Sequence, residues 1–285
     1  MKVDEIMSSP VLAVKPADPV AHAKNMMLRH GVKRLVVVDK GKPVGMLTTH
    51  DIAINLRTES STWRTRTIDS IPVSRVMHRD ILSVSVGTDI GKAVGMMLKH
   101  DIGSLVVTDR DEIAGILTKT DFVRYFSKSL PNRVKVKDLM SKDIVTVNRL
   151  HSIARVVELM EEYGVQRVVV TEGDEPVGLI TESDIAFAQL ELPSKGIKER
   201  QVMYTRKTER GGRPWARYIK YVALLTAEDI MRKEFITIDA EADAARAASL
   251  MIKKNIGGIP VVEGKKLVGI ITKTDITRGI RGLGV

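Results

Sequence analysis

Gly45-Met46-Leu47-Thr48-Thr49-His50-Asp51 decides the fold, because the pattern Gly-apolar-apolar-Thr-x-x-Asp returns three more times. The other copies run from Gly115 to Asp121, from Gly178 to Asp184 and from Gly269 to Asp275. Each closing Asp falls 44 residues after a methionine (Met7, Met77, Met140 or Met231) that ends a short helical lead-in. Insertions fall between these units and never inside them. Self-similarity at a fixed length marks a repeat architecture and outranks local propensity. It also sets a hydroxyl and a carboxylate at four equivalent points, which bears on binding as well as fold.

One unit shows the local logic. Val3 to Met7 reads as the helical lead-in and Val11 to Val14 as a short strand. Asp18-Pro19 reads as a helix start, with Asp as N-cap and Pro at the first helical position. Val20, Ala23, Met27 and Leu28 give one apolar face up to the stop at Gly31. Leu35 to Val38 is a continuous β-branched run, as in a buried strand. A turn at Asp39 to Lys42 leads to a strand over Val44 to Leu47 and a second helix over Thr48 to Leu56. The third unit reads likewise, with Asp143 to Val147, Ile153 to Tyr163, Val168 to Thr171, Val177 to Ile180 and Ser183 to Leu190. The expected fold class is mixed α/β: four β-α-β-β-α units, of which two packed sheet to helix would close both cores.

Four units of about 58 residues in a chain of 285 are each too small to stand alone, so they are expected to pair. Hydrophobic content of 44% supports real cores, and with aromatics at 4% those cores must be aliphatic. The absence of cysteine excludes disulfides, thiolate metal sites and Cys nucleophiles. Met1-Lys2-Val3-Asp4-Glu5 carries acid where a signal peptide needs base, and no apolar run is long enough to span a bilayer. The expectation is a cytoplasmic protein. Few Asn and Gln beside many Lys, Arg and Glu lean toward a heat-adapted source.

The chain resembles the cystathionine-β-synthase (CBS) domain family. The resemblance rests on the Met-closed lead-ins, the Leu35 to Asp39 and Leu105 to Asp109 strands, and the four Gly-x-x-Thr-x-x-Asp strings in register. It implies CBS repeats at 1–58, 71–128, 134–190 and 225–285, with an insertion at 191–224. Repeats one and two would form one module, and three and four a second. Two such modules commonly assemble into a flat disk, here as a monomeric disk or a homodimer.

The strings admit two readings. Thr-x-x-Asp after a strand is close to a capping box, which alone would account for all four. The Gly then relieves a tight strand-to-helix turn. The same atoms suit a nucleotide: a helix start favours phosphate, and a carboxylate beside it can accept both ribose hydroxyls. The resemblance implies adenosine ligands (AMP, ADP, ATP, S-adenosylmethionine, sometimes NAD) held by the Thr and Asp. No other cofactor is required.

The resemblance further implies composite clefts, with an adenine wall from the partner repeat and a base just before the Asp repeat's own strand. Before that strand, odd repeats carry Val32-Lys33-Arg34 and Val165-Gln166-Arg167, and even repeats carry Ile102-Gly103-Ser104 and Ile256-Gly257-Gly258. Phosphate needs the bases, and adenine needs the close backbone approach that Gly permits. One expected cleft therefore combines Thr48, His50, Asp51, Lys33 and Arg34 with Thr88, Ala93, Ile102, Gly103 and Ser104. The other combines Thr181, Ser183, Asp184 and Arg167 with Ala247, Ile256, Gly257 and Gly258. Clefts around Thr118, Thr120 and Asp121, and around Thr272, Thr274 and Asp275, are expected to be weaker or empty. Arg34 and Arg167 as ordinary surface charges are the alternative. His50 departs from the usual Ser or Thr, which opens a pH-sensitive reading.

The formal charge of +10 concentrates in one place: nine Lys or Arg and two Glu lie between Lys195 and Lys220. Residues 57–70, with Trp63, read as an exposed connector. Within 191–224, Gln201 to Thr208 and Trp215 to Val222 read as a hairpin. Arg206, Lys207, Arg213 and Arg217 interleave there with Trp215 and Tyr218, the mix that single-stranded nucleic acid asks for. A solvated hairpin, a protein partner and the phosphates of a bound nucleotide are the other readings.

No His-x-x-x-His pair, Gly-x-Ser-x-Gly elbow or Walker loop occurs, and His22, His30, His50, His78, His100 and His151 form no metal pattern. The sequence therefore reads as non-enzymatic, and the resemblance implies an energy-sensing regulatory protein that binds an adenosine ligand and signals by shape change to a separate effector protein. The alternative is a nucleic-acid-associated protein in which the repeats are scaffold.

Overall fold

The computed structural model describes residues 1–52, 70–110, 112–185, 197–206 and 215–283; within 197–224 it describes backbone alone. The fold is mixed α/β, with four three-stranded sheets of one design. In repeat one, Ala13–Val14 runs parallel to Arg34–Asp39, which pairs antiparallel with Lys42–Thr48. Each repeat's antiparallel pair carries a register shift one step beyond the residue opposite its Gly, between Val37 and Val38 in the first. The Val20–His30 helix buries Val20, Ala21, Ala23 and Met27 and stops at Gly31, whose φ of 63° suits a residue without Cβ. Asp18 does not cap this helix. Pro19 holds the N-cap position, and the Asp18 carboxylate takes the Lys15 N–H at 2.7 Å to close the preceding turn.

The lead-ins do not pack on the repeats they precede. Val3, fully buried, donates its N–H to Thr88 O at 2.9 Å, and Ser8 exchanges backbone bonds with Ile116 in repeat two. In return the Val73–Arg75 turn packs on repeat one, where Val73 N–H reaches Asp18 O at 2.8 Å and His78 pairs with Met46. Val136–Leu139 docks on repeat four through Val136 N–H to Ala242 O at 2.8 Å and a Ser141–Ile270 pair. Ala227–Ile230 docks on repeat three through Ala227 N–H to His151 O at 2.8 Å and a Leu179–Arg232 pair.

This exchange explains the Gly of each string. A Cβ built on Gly45, Gly115, Gly178 or Gly269 would lie 2.8, 2.4, 2.5 or 2.4 Å from the sulfur of Met77, Met7, Met231 or Met140, respectively. Each Gly sits inside a strand, not at a strand-to-helix turn as the sequence suggested. It is needed because a methionine from another repeat lies on its backbone.

The described chain divides into two compact units, Met1–Asp143 with Ile236–Val285, and Ile144–Phe235. In the first, repeats two and four share one core. Phe122, Val123 and Phe126 of the Lys119–Ser129 helix join Ala247, Ala248 and Met251 of Ala244–Lys253 and Ile276 and Ile280 of Lys273–Gly282. Repeat one has its own cluster of Leu35, Val37, Leu47 and Ile52, sealed by Val73 and Val76 of the borrowed lead-in. The second unit is centred on Val156, Val168, Val170 and Ile180, with Ala227 and Met231. It also holds the hairpin, Ile197–Arg206 paired with Trp215–Leu224, which begins four residues before the expected Gln201. Lys207, Arg213, Trp63 and the ends of the second helices of repeats one and three lie outside the described residues.

Candidate functional site

All four strings form the capping box. The Thr48 N–H and Oγ1–H both donate to Asp51 Oδ2 at 2.7 Å, and Asp51 N–H returns to Thr48 Oγ1 at 3.2 Å. The same three bonds join Thr118 with Asp121, Thr181 with Asp184 and Thr272 with Asp275. The first N–H of each helix is used as well. Thr49, Lys119, Glu182 and Lys273 donate to the carbonyls of Lys33, Gly103, Gln166 and Gly257 at 3.0 to 3.1 Å. The helix start is thus knitted to the residues before the buried strand. What each carboxylate keeps for other partners is Oδ1.

The occupants of Oδ1 divide the repeats as the pre-strand residues do. In the even repeats, Asp121 Oδ1 accepts from Ser8 Oγ at 3.0 Å and from Arg124 at 2.7 Å. Asp275 Oδ1 accepts from Ser141 Oγ at 3.1 Å and from Arg278 at 3.1 Å. In the odd repeats a longer basic side chain reaches it: His78 Nε2 meets Asp51 Oδ1, and Arg232 holds Asp184 Oδ1 by Nε at 2.7 Å and Nη2 at 2.6 Å. Ser8, His78, Ser141 and Arg232 are equivalent. Each follows its lead-in methionine, and each reaches the Asp of the repeat on which that lead-in docks.

These four residues were missed by sequence reasoning. Their signal was constant placement directly after Met7, Met77, Met140 and Met231, but their types share no obvious chemistry. Asp51 is buried to 3% exposure whereas His78 keeps 68% of its side chain exposed, so the contact joins an interior acid to a surface base.

Arg34 is half-buried and stands across the ladder from Thr48. Arg167 stands likewise across from Thr181, so the pre-strand base lies beside its own string in both odd repeats. Burial pushes the Arg34 guanidinium below its ordinary value, against the pull of Asp121 and Asp51, which favour its charged form. The guanidinium covers Gly103: a Cβ there would lie 2.6 Å from Nη1 and 2.8 Å from Nη2. Ser104, next along, donates its hydroxyl to the Met46 sulfur at 3.0 Å. Arg34, Gly103, Ser104 and Asp51 therefore meet in one place.

The other expected wall residues lie further back. Ala93 is fully buried in the core, Ile102 packs against that core, and Thr88 Oγ1 donates to Ser85 O at 2.7 Å in its own turn. Of the second expected cleft, Arg167, Thr181, Ser183 and Asp184 lie in one compact unit, and Ala247, Ile256, Gly257 and Gly258 lie in the other. Ala247 is a core residue and Gly258 begins a strand opposite Thr272.

The even strings show a relationship that the sequence did not suggest. Lys119 Nζ donates to Thr274 Oγ1 at 3.1 Å, and Lys273 Nζ donates to Thr120 Oγ1 at 2.8 Å. The two Thr-Lys-Thr-Asp helix starts face each other with reciprocal bonds. Only repeats two and four carry that Lys-Thr pair, which was the available clue. Among the described residues, no group of three or more His, Asp or Glu could hold a metal ion, and no helix is long and apolar enough to cross a membrane.

Comparison with known proteins matches a CBS domain model to residues 3–57, 73–128, 136–191 and 227–282. The uncharacterised protein MJ1404 of Methanocaldococcus jannaschii is 32% identical over 287 residues, covering 99% of this chain. The chain spans 62% of that relative's length. The crystal structure of M. jannaschii MJ1225 superposes with a TM-score of 0.78 at 21% identity, covering 98% of this chain and 100% of that one. An uncharacterised conserved protein from Pyrococcus horikoshii superposes with a TM-score of 0.66 at 19% identity, again over 98% and 100% of the two chains. These two likenesses show the fold.

Proposed function

The chain belongs to the CBS domain family, and on that premise we propose that it is a regulatory protein that binds an adenosine-type ligand where repeats one and two meet. One observation carries the reading. Asp51 Oδ1, the carboxylate oxygen of Asp51 not held by the capping box, is met by the exposed His78 of the other repeat's lead-in, and the Asp51 charge acts on the Arg34 guanidinium. Ribose hydroxyls are donors and would compete with His78 for Oδ1. Phosphate or another anionic group would pair with the half-buried Arg34.

A competing donor has a mechanical consequence. His78 follows Met77, whose sulfur lies on Gly45, and the Val73–Arg75 turn seals the repeat-one core. Displacing His78 would loosen the hold of repeat two's lead-in on repeat one. His78 is the exposed partner of that contact, so a ligand can reach it from solvent and take its place on Asp51. The shape change would then be read by a separate effector protein, provided the ligand distinguishes the two shapes. The charged partner on Asp184 extends the same reading to repeat three. The double neutral-plus-Arg hold on Asp121 and Asp275 argues that those carboxylates serve structure. The chain acts in this reading as a sensor and not as a catalyst.

Calorimetry with AMP, ADP, ATP, S-adenosylmethionine and NADH tests it. Binding by one of these, weakened at least tenfold by Asp51→Asn or Asp184→Asn and little changed by Asp121→Asn, is expected. No heat with any ligand, or affinity indifferent to both odd-repeat substitutions, removes the proposal. Thermal stabilisation by the same ligand gives an independent readout, because a molecule that binds only the folded state raises the melting temperature.

A further inference from the structure

The hairpin has a property that its composition does not reveal. Its register pairs Arg206 with Trp215, Tyr204 with Arg217, Val202 with Ile219, Arg200 with Tyr221 and Lys198 with Ala223. Successive residues of a strand belong to opposite faces, so these five pairs share one face. That face has four cations and three aromatic residues among its ten positions, and no acid. The other face has Glu199 and Lys220, which cancel, and one aromatic residue, Tyr218. The register has sorted base and ring onto one side. It has also set an Arg directly across from each ring.

From this segregation we propose that the Trp215-bearing face of the hairpin binds single-stranded nucleic acid. Phosphates need the cations and bases need flat rings, and single-strand sites combine the two. Same-face positions along a strand are about 6.7 Å apart, so the rings at 215 and 221 and the cations at 200 and 206 form a track and not a point. An acidic peptide would use the cations and leave the three rings without purpose. Cross-strand Arg–aromatic pairs do support a ladder, but that role does not require three of the four rings and four of the five strand cations on one face. Tyr218, grouped by sequence with the other contacts, falls on the opposite face and serves as an internal control.

The test is fluorescence anisotropy on the full chain with labelled oligo(U) and oligo(dT) of about 20 nucleotides, longer than the roughly 4–16 that one compact single-strand site covers. A duplex of equal length and poly-glutamate are the comparators. Single strands are expected to bind best. Four phosphate contacts give a log–log salt slope of about −3, or a loss of about 50-fold between about 50 and 200 mM salt. Trp215→Ala and Tyr204→Ala should each weaken binding at least about fivefold, with Trp215→Phe restoring most of it. Tyr218→Ala, Lys220→Gln and Asp51→Asn should leave it within about twofold. Circular dichroism melts of each variant separate lost contact from lost fold.

Four results would overturn the proposal. They are no binding of single strands at the lower salt, a preference for poly-glutamate or duplex, equal losses from the two faces, and losses from Arg206→Gln and Arg217→Gln with none from the ring substitutions. The last would mark a generic polyanion surface. Because Asp51→Asn tests the adenosine cleft separately, failure of either site leaves the other standing.

Discussion

The sulfur of Met7, in the first repeat, lies on the backbone of Gly115 in the second, so close that a Cβ on Gly115 would sit 2.4 Å away. The Met7 methylene Cγ and the Ser8 carbonyl would lie at 3.0 and 3.1 Å, so neither a rotated side chain nor a small slide relieves the contact. Gly115→Ala is expected to destabilise the protein by about 1–3 kcal/mol, the cost of overpacking a filled interior. Gly95→Ala, where a Cβ meets nothing within 4 Å, should not destabilise it. Chemical denaturation of the two variants checks both halves of the prediction.

Gly103 differs in kind, because its Cβ would meet the end of the Arg34 side chain and not backbone. A flexible guanidinium can give way. Gly103→Ala should therefore cost less than about 1 kcal/mol while displacing Arg34 from its place between Asp51 and Asp121. Weakened ligand binding with near-normal stability is the expected outcome. A large stability loss would show that Arg34 is fixed.

His78→Ala removes the competitor at Asp51 Oδ1 without touching the capping box. Adenosine-ligand affinity is expected to rise by about three- to tenfold, while stability falls, because the buried Asp51 loses a partner. Calorimetry beside a melt reads both. A fall in affinity would mean that His78 contacts the ligand and does not compete with it.

The tie between the Val136–Leu139 lead-in and repeat four can be read by pH. Glu241 accepts from Lys135 at 2.6 Å and Lys137 at 2.5 Å, and these bonds bring its carboxyl down from 4.5 to about 2. A carboxyl depressed in the folded state contributes stability above its unfolded value. That contribution is lost as pH falls from about 4.5 through about 2. Carboxyl-resolved NMR should find the Glu241 midpoint near the lower figure, and Lys135→Ala with Lys137→Ala should return it toward the upper one.

The repeats were legible because four imperfect copies constrain one another, so the strands around Leu35, Leu105, Val168 and Ile259 and the capping boxes could be read from residues alone. The exchange of lead-ins was not. Met7 precedes both Gly45 and Gly115, and nothing in a string says which glycine a methionine will seat on. The Oδ1 partners were hidden for the same reason, since Ser8, His78, Ser141 and Arg232 act at a distance in sequence. Arg34 and Gly103 were singled out by sequence as a base and a small residue. Their direct contact was not foreseen, because sequence assigned each a ligand and the fold first gives them to each other. The reciprocal Lys119–Thr274 and Lys273–Thr120 bonds needed the packing of repeats two and four, which no property of either copy announces.

Exchanged lead-ins also impose an order on synthesis. The Val3–Met7 segment is made before its seat at Gly115, which follows more than a hundred residues later. Repeat one cannot close its core until Val73 and Val76 have emerged, and repeat three must wait across the whole hairpin for Ala227 and Met231. In repeats one and three the core is finished by a segment that belongs, by sequence, to the next copy. A nascent chain therefore carries at least one unfinished core until its fourth repeat has been made.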